Sequence, residues 1–321
     1  MPMVQQNDFW RGKRVFGTGL TGFIGTHLSR KLKELEADLV VMEHVRKAIP
    51  GVKTLGGDIA HLDETFEKEL KDLNPEVIFH LAAQPLVSVA AKDVCETVDT
   101  NVKGVCDFLC ICKDIQSLKS LVFVSTDKVY GNISQITKDT IPQGVEHPYN
   151  ASKLAADALA QMYSNFFDIP TVVVRNANVY GAGDEHYDRI IPRTIQNIHL
   201  GLQPVIRGGG KTTRDYIHVS EIVNGYLSAA EIPMRPFQQK LTTINLNGFN
   251  HSVVQIVDTL LEKMGRVDLA PAFEPMWKGE IPNQHIINDK AKELIGWNPQ
   301  IDISLGLSMT IPWYLEKFAN G

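Results

Sequence analysis

The sequence predicts an α/β fold, a Rossmann-type doubly wound parallel sheet with a smaller, interleaved C-terminal substrate lobe. Short apolar runs alternate with longer amphipathic segments over roughly the first half of the chain. A glycine-rich segment, GTGLTGFIG, joins the first apolar run to the first amphipathic one. After residue 180 the alternation loosens, and Pro and Gly become frequent. Strands that alternate with helices form parallel sheets covered on both faces, and the looser segment is typical of an added lobe.

The elements follow one another in a regular order. The predicted strands are nearly continuous apolar runs, as strands buried on both faces should be: RVFGTG, DLVVMEH, EVIFHLAA, SLVFVSTD and TVVVRNANVYG. The predicted helices are FIGTHLSRKLKEL, DETFEKELKDL, VDTNVKGVCDFLCICKDI and YNASKLAADALAQMYSNFF. We therefore assign residues 1–177 to a dinucleotide-binding domain and residues 178–213 and 249–321 to the second lobe. Residues 214–248, which include RDYIHVSEIVNGYLSAAE and LTTINLNG, are expected to rejoin the first domain.

Composition limits the possible partners and the compartment. The formal net charge is -5 and the pI is near 6.1. Acidic and basic residues are interspersed, so the sequence has no stripe of basic residues that could bind along a nucleic-acid backbone. The sequence shows neither a signal-peptide pattern nor a run of about 18 apolar residues that would span a membrane. We expect a cytoplasmic protein that binds neither nucleic acid nor membranes. Four cysteines lie between residues 95 and 112 without a recognisable zinc spacing, so we expect reduced, mostly buried thiols and no metal.

The glycine-rich segment predicts a dinucleotide site. Gly19, Gly22 and Gly25 lie between the first strand and the first helix. Glycine there permits a tight turn, close approach of a pyrophosphate and close packing of the helix. Phe23 and Ile24 begin the helix, whose free N–H groups face the same place.

Residues after the next two strands bear on the choice of dinucleotide. Glu43, at the end of the second strand, is placed to accept hydrogen bonds from the adenosine ribose, which favours NAD. Arg46 and Lys47 would suit the additional phosphate of NADP, so both cofactors stay open, with NAD preferred. Asp58 and Ile59 follow the third strand at a position suited to the adenine edge; the alternative for Asp58 is a turn or a helix cap.

A set of reactive side chains predicts catalysis. Tyr149 and Lys153 are four residues apart on one helix face, where an ammonium group near the phenol favours its phenolate form. Thr126, Asp127 and Lys128 follow a predicted strand in direct succession. The alternatives for the last two are a helix-capping acid and an ion pair between them.

Six motifs carry a resemblance to a known family. They occur in this order across nearly the whole chain: TGLTGFIG, HLAAQPLV, STDKVYG, PYNASK, NVYGAGD and RDYIHV. Together they resemble the extended short-chain dehydrogenase/reductase family that modifies nucleotide sugars, and the Asp127–Lys128 pair most resembles its CDP-glucose 4,6-dehydratase branch. The resemblance implies NAD as cofactor and a nucleotide sugar as substrate. A 4-epimerase or reductase with the same cofactor is the alternative, in which Lys128 is an ion-pair residue.

The resemblance also implies roles for the reactive residues. Tyr149 would take the O4 proton of the sugar as NAD takes up the C4 hydride, while Thr126 bonds the oxygen and Lys153 holds the cofactor ribose and the phenolate. Lys128 would then remove the C5 proton, and Asp127 would protonate the departing C6 hydroxyl. Hydride returned to C6 gives a 4-keto-6-deoxy sugar. The extra acid and base are what an elimination needs and a simple epimerisation does not.

The resemblance further implies binding residues and an assembly. Additional residues expected to line the cofactor are Leu81, Ala82, Ala83, Gln84 and Asn101. Those expected to bind the nucleotide sugar, where a guanidinium fork suits the diphosphate, are Ser88, Asn178, Arg189, Arg207 and Arg214. The alternatives are core packing for the alanines, a hydrogen bond within its own helix for Asn101, and surface ion pairs for the arginines. A homodimer is expected through a four-helix bundle built from helices near residues 98–115 and 149–167.

Overall fold

The structure is a computed structural model that describes residues 8–44, 49–235, 241–276 and 281–320. Its strands are β1 Arg14–Thr18, β2 Asp38–Glu43, β3 Lys53–Gly56, β4 Val77–His80, β5 Ser120–Thr126, β6 Gln135–Ile136, β7 Thr171–Asn176, β8 Asn178–Tyr180, β9 Val205–Arg207, β10 Thr213–His218, β11 Leu241–Leu246, β12 Phe249–Ser252, β13 Ala272–Glu274 and β14 His285–Ile286. Its α-helices are α1 Phe23–Glu34, α2 Glu64–Leu73, α3 Val87–Lys92, α4 Val94–Val98, α5 Gly104–Cys112, α6 Pro148–Phe167, α7 Ile190–His199, α8 Val219–Ala230, α9 Val253–Lys263, α10 Asp289–Ile295 and α11 Ile303–Ala319. A π-helical turn, Asp99–Lys103, joins α4 to α5, and a 3₁₀ turn, Asp127–Tyr130, follows β5.

The chain divides into two compact units. Unit 1 lies within Met1–Val129, Pro142–Arg175 and Val223–Ile244, and unit 2 lies within Tyr130–Ile141, Asn176–Ile222 and Asn245–Gly321. Both units are therefore assembled from separate parts of the sequence. The assignment of the two regions to cofactor and substrate stays a prediction.

A seven-stranded sheet forms the centre of unit 1. Its strand order is β11-β7-β5-β4-β1-β2-β3. β1 pairs in parallel with β2 and with β4, and β3 and β5 extend these ladders in parallel on either side. Because the chain leaves β1 toward one side and later returns to the other, a topological switch point lies at the carboxyl ends of β1 and β4. This topology confirms the predicted Rossmann-type parallel sheet.

The strands near the switch point are buried throughout. Every residue of Val77–His80 and of Thr171–Asn176 is buried, which explains their continuous apolar sequences. Phe16, Phe108 and Phe123 belong to one apolar cluster formed by strands and helices of this unit. Each fully buried side chain of this size contributes about 1.5–3 kcal/mol. The packing therefore fixes the strand ends from which the candidate site is built.

Unit 2 contains three small sheets, with the orders β12-β10-β8, β13-β9 and β14-β6. Helices α7, α9 and α11 contribute Ile195, Leu260 and Leu307 to its apolar core. Strand β10 differs from the sequence-based expectation, because it pairs with β8 in parallel and β12 in antiparallel and does not join the large sheet. Strand β11 does join it. Apolar alternation predicts a strand in both cases but does not identify the pairing partner.

The cysteines differ from expectation in their burial. All four are free thiols, but only Cys112 is buried; Cys106 is half-buried, and Cys95 and Cys110 are exposed on the outer faces of α4 and α5. Among the described residues, no three His, Cys, Asp or Glu side chains are grouped as metal ligands. In the same part of the chain, no helix has the length and apolar character needed to cross a bilayer.

Candidate active site

The glycine-rich loop lies at the switch point of unit 1. Gly19 follows β1 with φ of 70°, a left-handed conformation that L side chains rarely adopt. A Cβ atom at Gly19 would lie 2.5 Å from the backbone nitrogen of Ala82, so the segments after β1 and β4 approach only because no side chain is present. A Cβ atom at Gly25 would lie 2.2 Å from the Gly19 carbonyl oxygen, so α1 can start directly against the loop. Both positions therefore require glycine.

The N-terminus of α1 fits a phosphate group. Gly22 is the N-cap, no side chain caps the helix, and the first turn contains no acidic residue. The partial positive charge at Phe23 and Ile24 is therefore not offset by a carboxylate. A pyrophosphate would supply the matching negative charge. The residues present thus fit the dinucleotide that the sequence predicts.

Two acidic side chains lie near the ends of β2 and β3. Glu43 is half-buried at the end of β2. The carboxylate of Asp58 accepts a hydrogen bond of 3.0 Å from the N–H two residues later, so it forms the turn foreseen as its alternative role. The next residue, Ile59, is buried. Arg46 and Lys47, which were considered for NADP, lie outside the described residues.

A buried histidine supports the loop after β4. Oγ1 of Thr18, at the end of β1, lies 2.8 Å from Nδ1 of His80 and accepts the N–H of Ala82 at 3.3 Å. The imidazole of His80 stacks between two phenylalanine rings at centroid distances of 5.0 and 5.2 Å. Burial, with a smaller contribution from the charge of Lys153, lowers the pKa of His80 to about 3. This histidine is therefore neutral at neutral pH.

Asn101 connects the same loop to α6. It is 1% exposed and lies in the π-helical turn. Its side chain accepts the Gln84 N–H at 2.8 Å and donates to the Gln84 carbonyl at 3.1 Å and to Oγ of Ser152 at 3.0 Å. Ser152 donates in turn to the carbonyl of Tyr149 at 2.9 Å. The described bonds of Asn101 thus lead to the loop and α6. The three residues before Gln84 are half-buried, whereas residues packed in the core would be buried. They are Leu81, Ala82 and Ala83.

The three reactive residues at the end of β5 are in contact. The hydroxyl of Thr126 donates to Oδ1 of Asp127 at 3.0 Å, and Nζ of Lys128 lies 2.7 Å from Oδ2 of the same carboxylate. The side chain of Asp127 is 3% exposed and that of Lys128 is 18% exposed. The structure therefore contains the ion pair that residue type suggested, in a setting largely shielded from water.

Tyr149 and Lys153 lie one turn apart on α6. His147 caps this helix, since its Nδ1 accepts the N–H of Tyr149 at 3.2 Å. Lys153 is 6% exposed and donates from Nζ to the carbonyl of Val124, in β5, at 2.9 Å. Burial lowers the pKa of Lys153 to about 8, against a smaller opposing contribution from Asp157. The buried ammonium group thus lies where the sequence predicts a partner for the phenol.

The catalytic candidates all belong to unit 1 and have a common frame. The bond from Lys153 to Val124 joins the helix that carries Tyr149 to the strand that ends in Thr126. A hydroxyl, a phenol and an ammonium group beside a dinucleotide loop can take a proton from an alcohol as its carbon loses hydride. The adjacent acid and amine offer two further proton-transfer groups.

The predicted nucleotide-sugar residues are divided between the units. Ser88 is half-buried on α3 in unit 1. In unit 2, Asn178 of β8 and Arg214 of β10 belong to the same three-stranded sheet. Asn178 donates to the carbonyl of Asp215 at 3.2 Å, and Arg214 donates to the carbonyl of Pro282 at 3.1 Å.

Two other arginines of unit 2 make the ion pairs foreseen as their alternative. Arg189, at the N-cap of α7, bonds the buried carboxylate of Asp184 at 3.0 Å. Nε of Arg207, at the end of β9, lies 3.6 Å from a carboxylate oxygen of Glu274. Both guanidinium groups therefore face anionic oxygens already.

Sequence reasoning missed a buried carboxylate behind the site. Asp157 follows Lys153 by one helical turn and is 1% exposed. It accepts hydrogen bonds from Ser125 and Arg175, residues of β5 and β7. The spacing after Lys153 was the available signal, but these partners become neighbours only in the folded sheet.

Comparisons with known proteins agree with this geometry. Residues 15–244 match the NAD dependent epimerase/dehydratase family. CDP-glucose 4,6-dehydratase of Salmonella typhimurium strain LT2 is 34% identical over 253 residues, which cover 71% of this chain and 69% of that protein. The structure of UDP-glucose 4-epimerase from Thermotoga maritima with UDP-glucose is 26% identical, with a TM-score of 0.86, and the match covers 95% of this chain and 99% of that chain. The structure of MoeE5 with UDP-glucose and NAD is 27% identical, with a TM-score of 0.83, over 96% of this chain and all of that chain.

The family match spans the glycine loop, β5 and α6, which carry the dinucleotide and catalytic candidates. The similarity of the dehydratase covers more than two thirds of both sequences. These findings confirm the resemblance drawn from the motifs, and they confirm NAD as the cofactor of the family. The chain therefore belongs to the NAD dependent epimerase/dehydratase family, whose dehydratases and epimerases act on nucleotide sugars.

Proposed function

We propose that this protein is an NAD-dependent nucleotide-sugar 4,6-dehydratase that converts CDP-glucose to CDP-4-keto-6-deoxyglucose. The observation that carries the proposal is the 2.7 Å contact between Asp127 and Lys128, directly after Thr126. Loss of water across C5 and C6 needs an acid and a base in addition to the groups that oxidise C4. The similarity to a CDP-glucose 4,6-dehydratase supports the choice of nucleotide.

The ion pair is compatible with these two roles. As ammonium and carboxylate, Lys128 and Asp127 together hold one transferable proton. Movement of that proton across the contact gives a neutral amine and a carboxylic acid, with the total protonation unchanged. The 2.7 Å contact lets the proton move directly between the two side chains without a bridging water. The pair can therefore present the base to C5 and the acid to the C6 hydroxyl.

Each side chain then has a defined task. Bound NAD supplies the hydride acceptor for C4 and the hydride donor for C6. Tyr149 takes the O4 proton, Lys153 stabilises the resulting phenolate, and Thr126 bonds the sugar oxygen. Lys128 takes the C5 proton, and Asp127 gives a proton to the departing hydroxyl. When hydride reaches C6, Lys128 returns a proton to C5. The cofactor ends in its starting oxidation state.

A 4-epimerase is the second candidate. The structural similarity to a UDP-glucose 4-epimerase over nearly the whole chain favours it. In an epimerase, Lys128 would be only a fixed ion-pair partner of Asp127. Epimerisation uses Tyr149, Lys153 and Thr126 but does not need the second acid and base.

Mass spectrometry distinguishes the two candidates. The purified protein would be incubated with NAD and, separately, with CDP-, UDP-, GDP- and dTDP-hexoses. We expect CDP-glucose to lose one water. An unchanged mass with an altered sugar configuration would identify an epimerase, and loss of water from another nucleotide sugar would correct the nucleotide.

We also propose ligands for the predicted binding residues. We assign the loop residues Gly19, Gly22, Gly25, Leu81, Ala82, Ala83 and Gln84, with Phe23, Ile24, Glu43, Asp58, Ile59 and Asn101, to NAD. We assign Ser88, Asn178, Arg189, Arg207 and Arg214 to the nucleotide sugar, and unit 2 to the nucleotide-sugar lobe. Arg189 and Arg207 already face carboxylates, and a diphosphate would replace one anionic partner by another.

We also propose a homodimer. An apolar groove of about 370 Å³ lies between the α4 region and the start of α6. Val94 and Val98 on one side are 47% and 43% exposed, and Met162 and Phe166 further along α6 are 42% and 77% exposed. Helix α6 corresponds to one of the two helices predicted for the four-helix bundle, whereas α4 ends at Val98, where the other predicted helix begins. A second copy of the chain would remove this apolar surface from water.

A further inference from the structure

A buried carboxylate without a role in the proposed chemistry lies behind Lys153. Asp157 is 1% exposed. It accepts hydrogen bonds from Oγ of Ser125 at 2.7 Å, Nε and Nη2 of Arg175 at 2.9 and 2.8 Å, and Nε2 of Gln161 at 2.7 Å. Arg175 is 6% exposed, so this is a buried ion pair with good bidentate geometry.

The positions of these contacts join the catalytic elements. Ser125 precedes Thr126 in β5, and Val124, which accepts the bond from Lys153, precedes Ser125. Helix α6 is therefore attached to the end of β5 at two points one turn apart, through Lys153 and through Asp157. Arg175 attaches the same carboxylate to β7. The distance from the helix to Thr126 thus depends on the Asp157 contacts.

The same carboxylate acts on the charge of Lys153. Burial lowers the pKa of Lys153, and the negative charge of Asp157 opposes that shift. Surroundings of low dielectric constant strengthen such an interaction relative to water. Removal of the negative charge would let the lysine lose its proton at lower pH. Lys153 stabilises the phenolate of Tyr149 only as a cation. The alkaline limit of catalysis would therefore also move to lower pH.

We propose that Asp157, held by Arg175 and Ser125, is a positioning residue that fixes α6 against β5 and maintains the positive charge of Lys153 behind Tyr149. The inference rests on the proposed function for its effect on turnover, but not for its effect on Lys153 itself. Asp157 does not reach the reacting atoms. It acts through Lys153 and through the end of β5.

The test compares Asp157→Asn, which removes the charge at constant size, with Asp157→Asn/Arg175→Gln, which removes both charges of the pair. The titration of Lys153 would be followed by the ¹³Cε chemical shift in protein labelled at lysine, assigned with Lys153→Met. We expect its midpoint to fall in Asp157→Asn, and to fall less in the double variant because Arg175→Gln also removes a nearby positive charge. We also expect kcat at pH 8 to fall about tenfold, with a smaller change in KM. The alkaline limb of the pH profile of kcat should move to lower pH by the same amount as the Lys153 midpoint. Asp72→Asn, which removes an exposed carboxylate from an i,i+4 pair on α2, is the control and should change neither.

The outcomes separate a positioning role from a structural one. If the carboxylate served only to neutralise Arg175, the double variant would recover wild-type stability, Lys153 titration and pH profile together, and the proposal would be wrong. An unchanged Lys153 midpoint in the folded single variant would overturn it too. Should no nucleotide sugar be converted by the wild type, the proposed function fails, while the Lys153 titration still decides the role of Asp157.

Discussion

In the proposed mechanism, Lys128 is the residue that separates elimination from simple oxidation and reduction at C4. In Lys128→Ala, removal of the C5 proton should slow by about 100-fold or more, because the base is absent. NAD should remain bound and C4 should still be oxidised, since Tyr149 and Lys153 are untouched. The measurement is exchange of the C5 hydrogen with deuterated solvent, followed by NMR.

The control for this experiment is Lys138→Ala, which removes an exposed lysine of unit 2. Its exchange rate should match that of the wild type. Wild-type exchange in Lys128→Ala would show that another group takes the C5 proton. The contact with Asp127 would then be a structural ion pair.

His80 should make the folded protein sensitive to acid. Its pKa in the folded state is about 3, below the ordinary value of 6.5, because burial disfavours the imidazolium. The unfolded chain takes up the proton below pH 6.5, whereas the folded chain does not until pH approaches 3. Stability is therefore complete above pH 6.5 and falls as the pH falls toward 3. Between pH 6 and pH 5 this histidine alone should cost about 1 kcal/mol of unfolding free energy.

Urea unfolding of His80→Phe at pH 6 and pH 5 measures this contribution. Phenylalanine keeps the stacking with the neighbouring rings but does not titrate. The variant should lose about 1 kcal/mol less than the wild type over this interval. His61→Phe, at an exposed histidine, should leave the pH dependence as it is. Equal losses in His80→Phe and the wild type would mean that His80 gains a proton in the folded state at ordinary pH.

At the scale of elements, the N-terminus of α6 depends on a titratable cap. His147 accepts the N–H of Tyr149 through Nδ1, and burial lowers the pKa of this histidine. Protonation converts Nδ1 from an acceptor to a donor and removes the cap. The contribution is present at neutral pH and is lost as the pH falls below 6.5. His147→Asn, whose amide oxygen also caps helices, should retain activity to lower pH than the wild type does, whereas His147→Ala should lose about 1 kcal/mol of stability at pH 7.

Activity and thermal unfolding of both variants between pH 5 and pH 8 provide the measurement. An identical acid limb in His147→Asn and the wild type would contradict the titration of this cap. An unchanged midpoint of unfolding in His147→Ala at pH 7 would show that the cap contributes little.

The elements also show which features were predictable. The glycine loop and the Tyr149–Lys153 pair are local patterns, so their spacing in sequence sets their spacing in space. The supports of the site are contacts between distant segments: Thr18 and His80 are 62 residues apart, and Asn101 and Gln84 are 17 apart. No periodicity encodes those pairs. The π-helical turn at Asp99–Lys103 was equally absent from the pattern, because a helical repeat does not show one extra residue per turn.

For the whole molecule, strand and helix alternation was enough to predict the large sheet. It was not enough for unit 2, whose strands are as short as two or three residues and pair in three separate sheets. Such strands have too few residues to specify a partner by apolar alternation. The ion pairs of Arg189 and Arg207 illustrate the same limit, since their partners Asp184 and Glu274 carry no distinguishing signal in the sequence.

The exposed apolar residues of unit 1 predict that the protein forms a homodimer. Val98 and Phe166 are exposed on the helices proposed to form the bundle. In a dimer both would be buried, so a carboxylate at either position would have to lose its hydration without a partner. Val98→Glu and Phe166→Glu should each weaken the dimer by at least about 2 kcal/mol, or roughly thirtyfold. Val267→Glu, at a 79% exposed apolar residue of unit 2, is the matched control and should leave the dimer intact. Light scattering across a dilution series measures the mass of each variant. A wild type that stays monomeric at micromolar concentration would refute the dimer. Variants that dimerise as the wild type does would place its interface elsewhere.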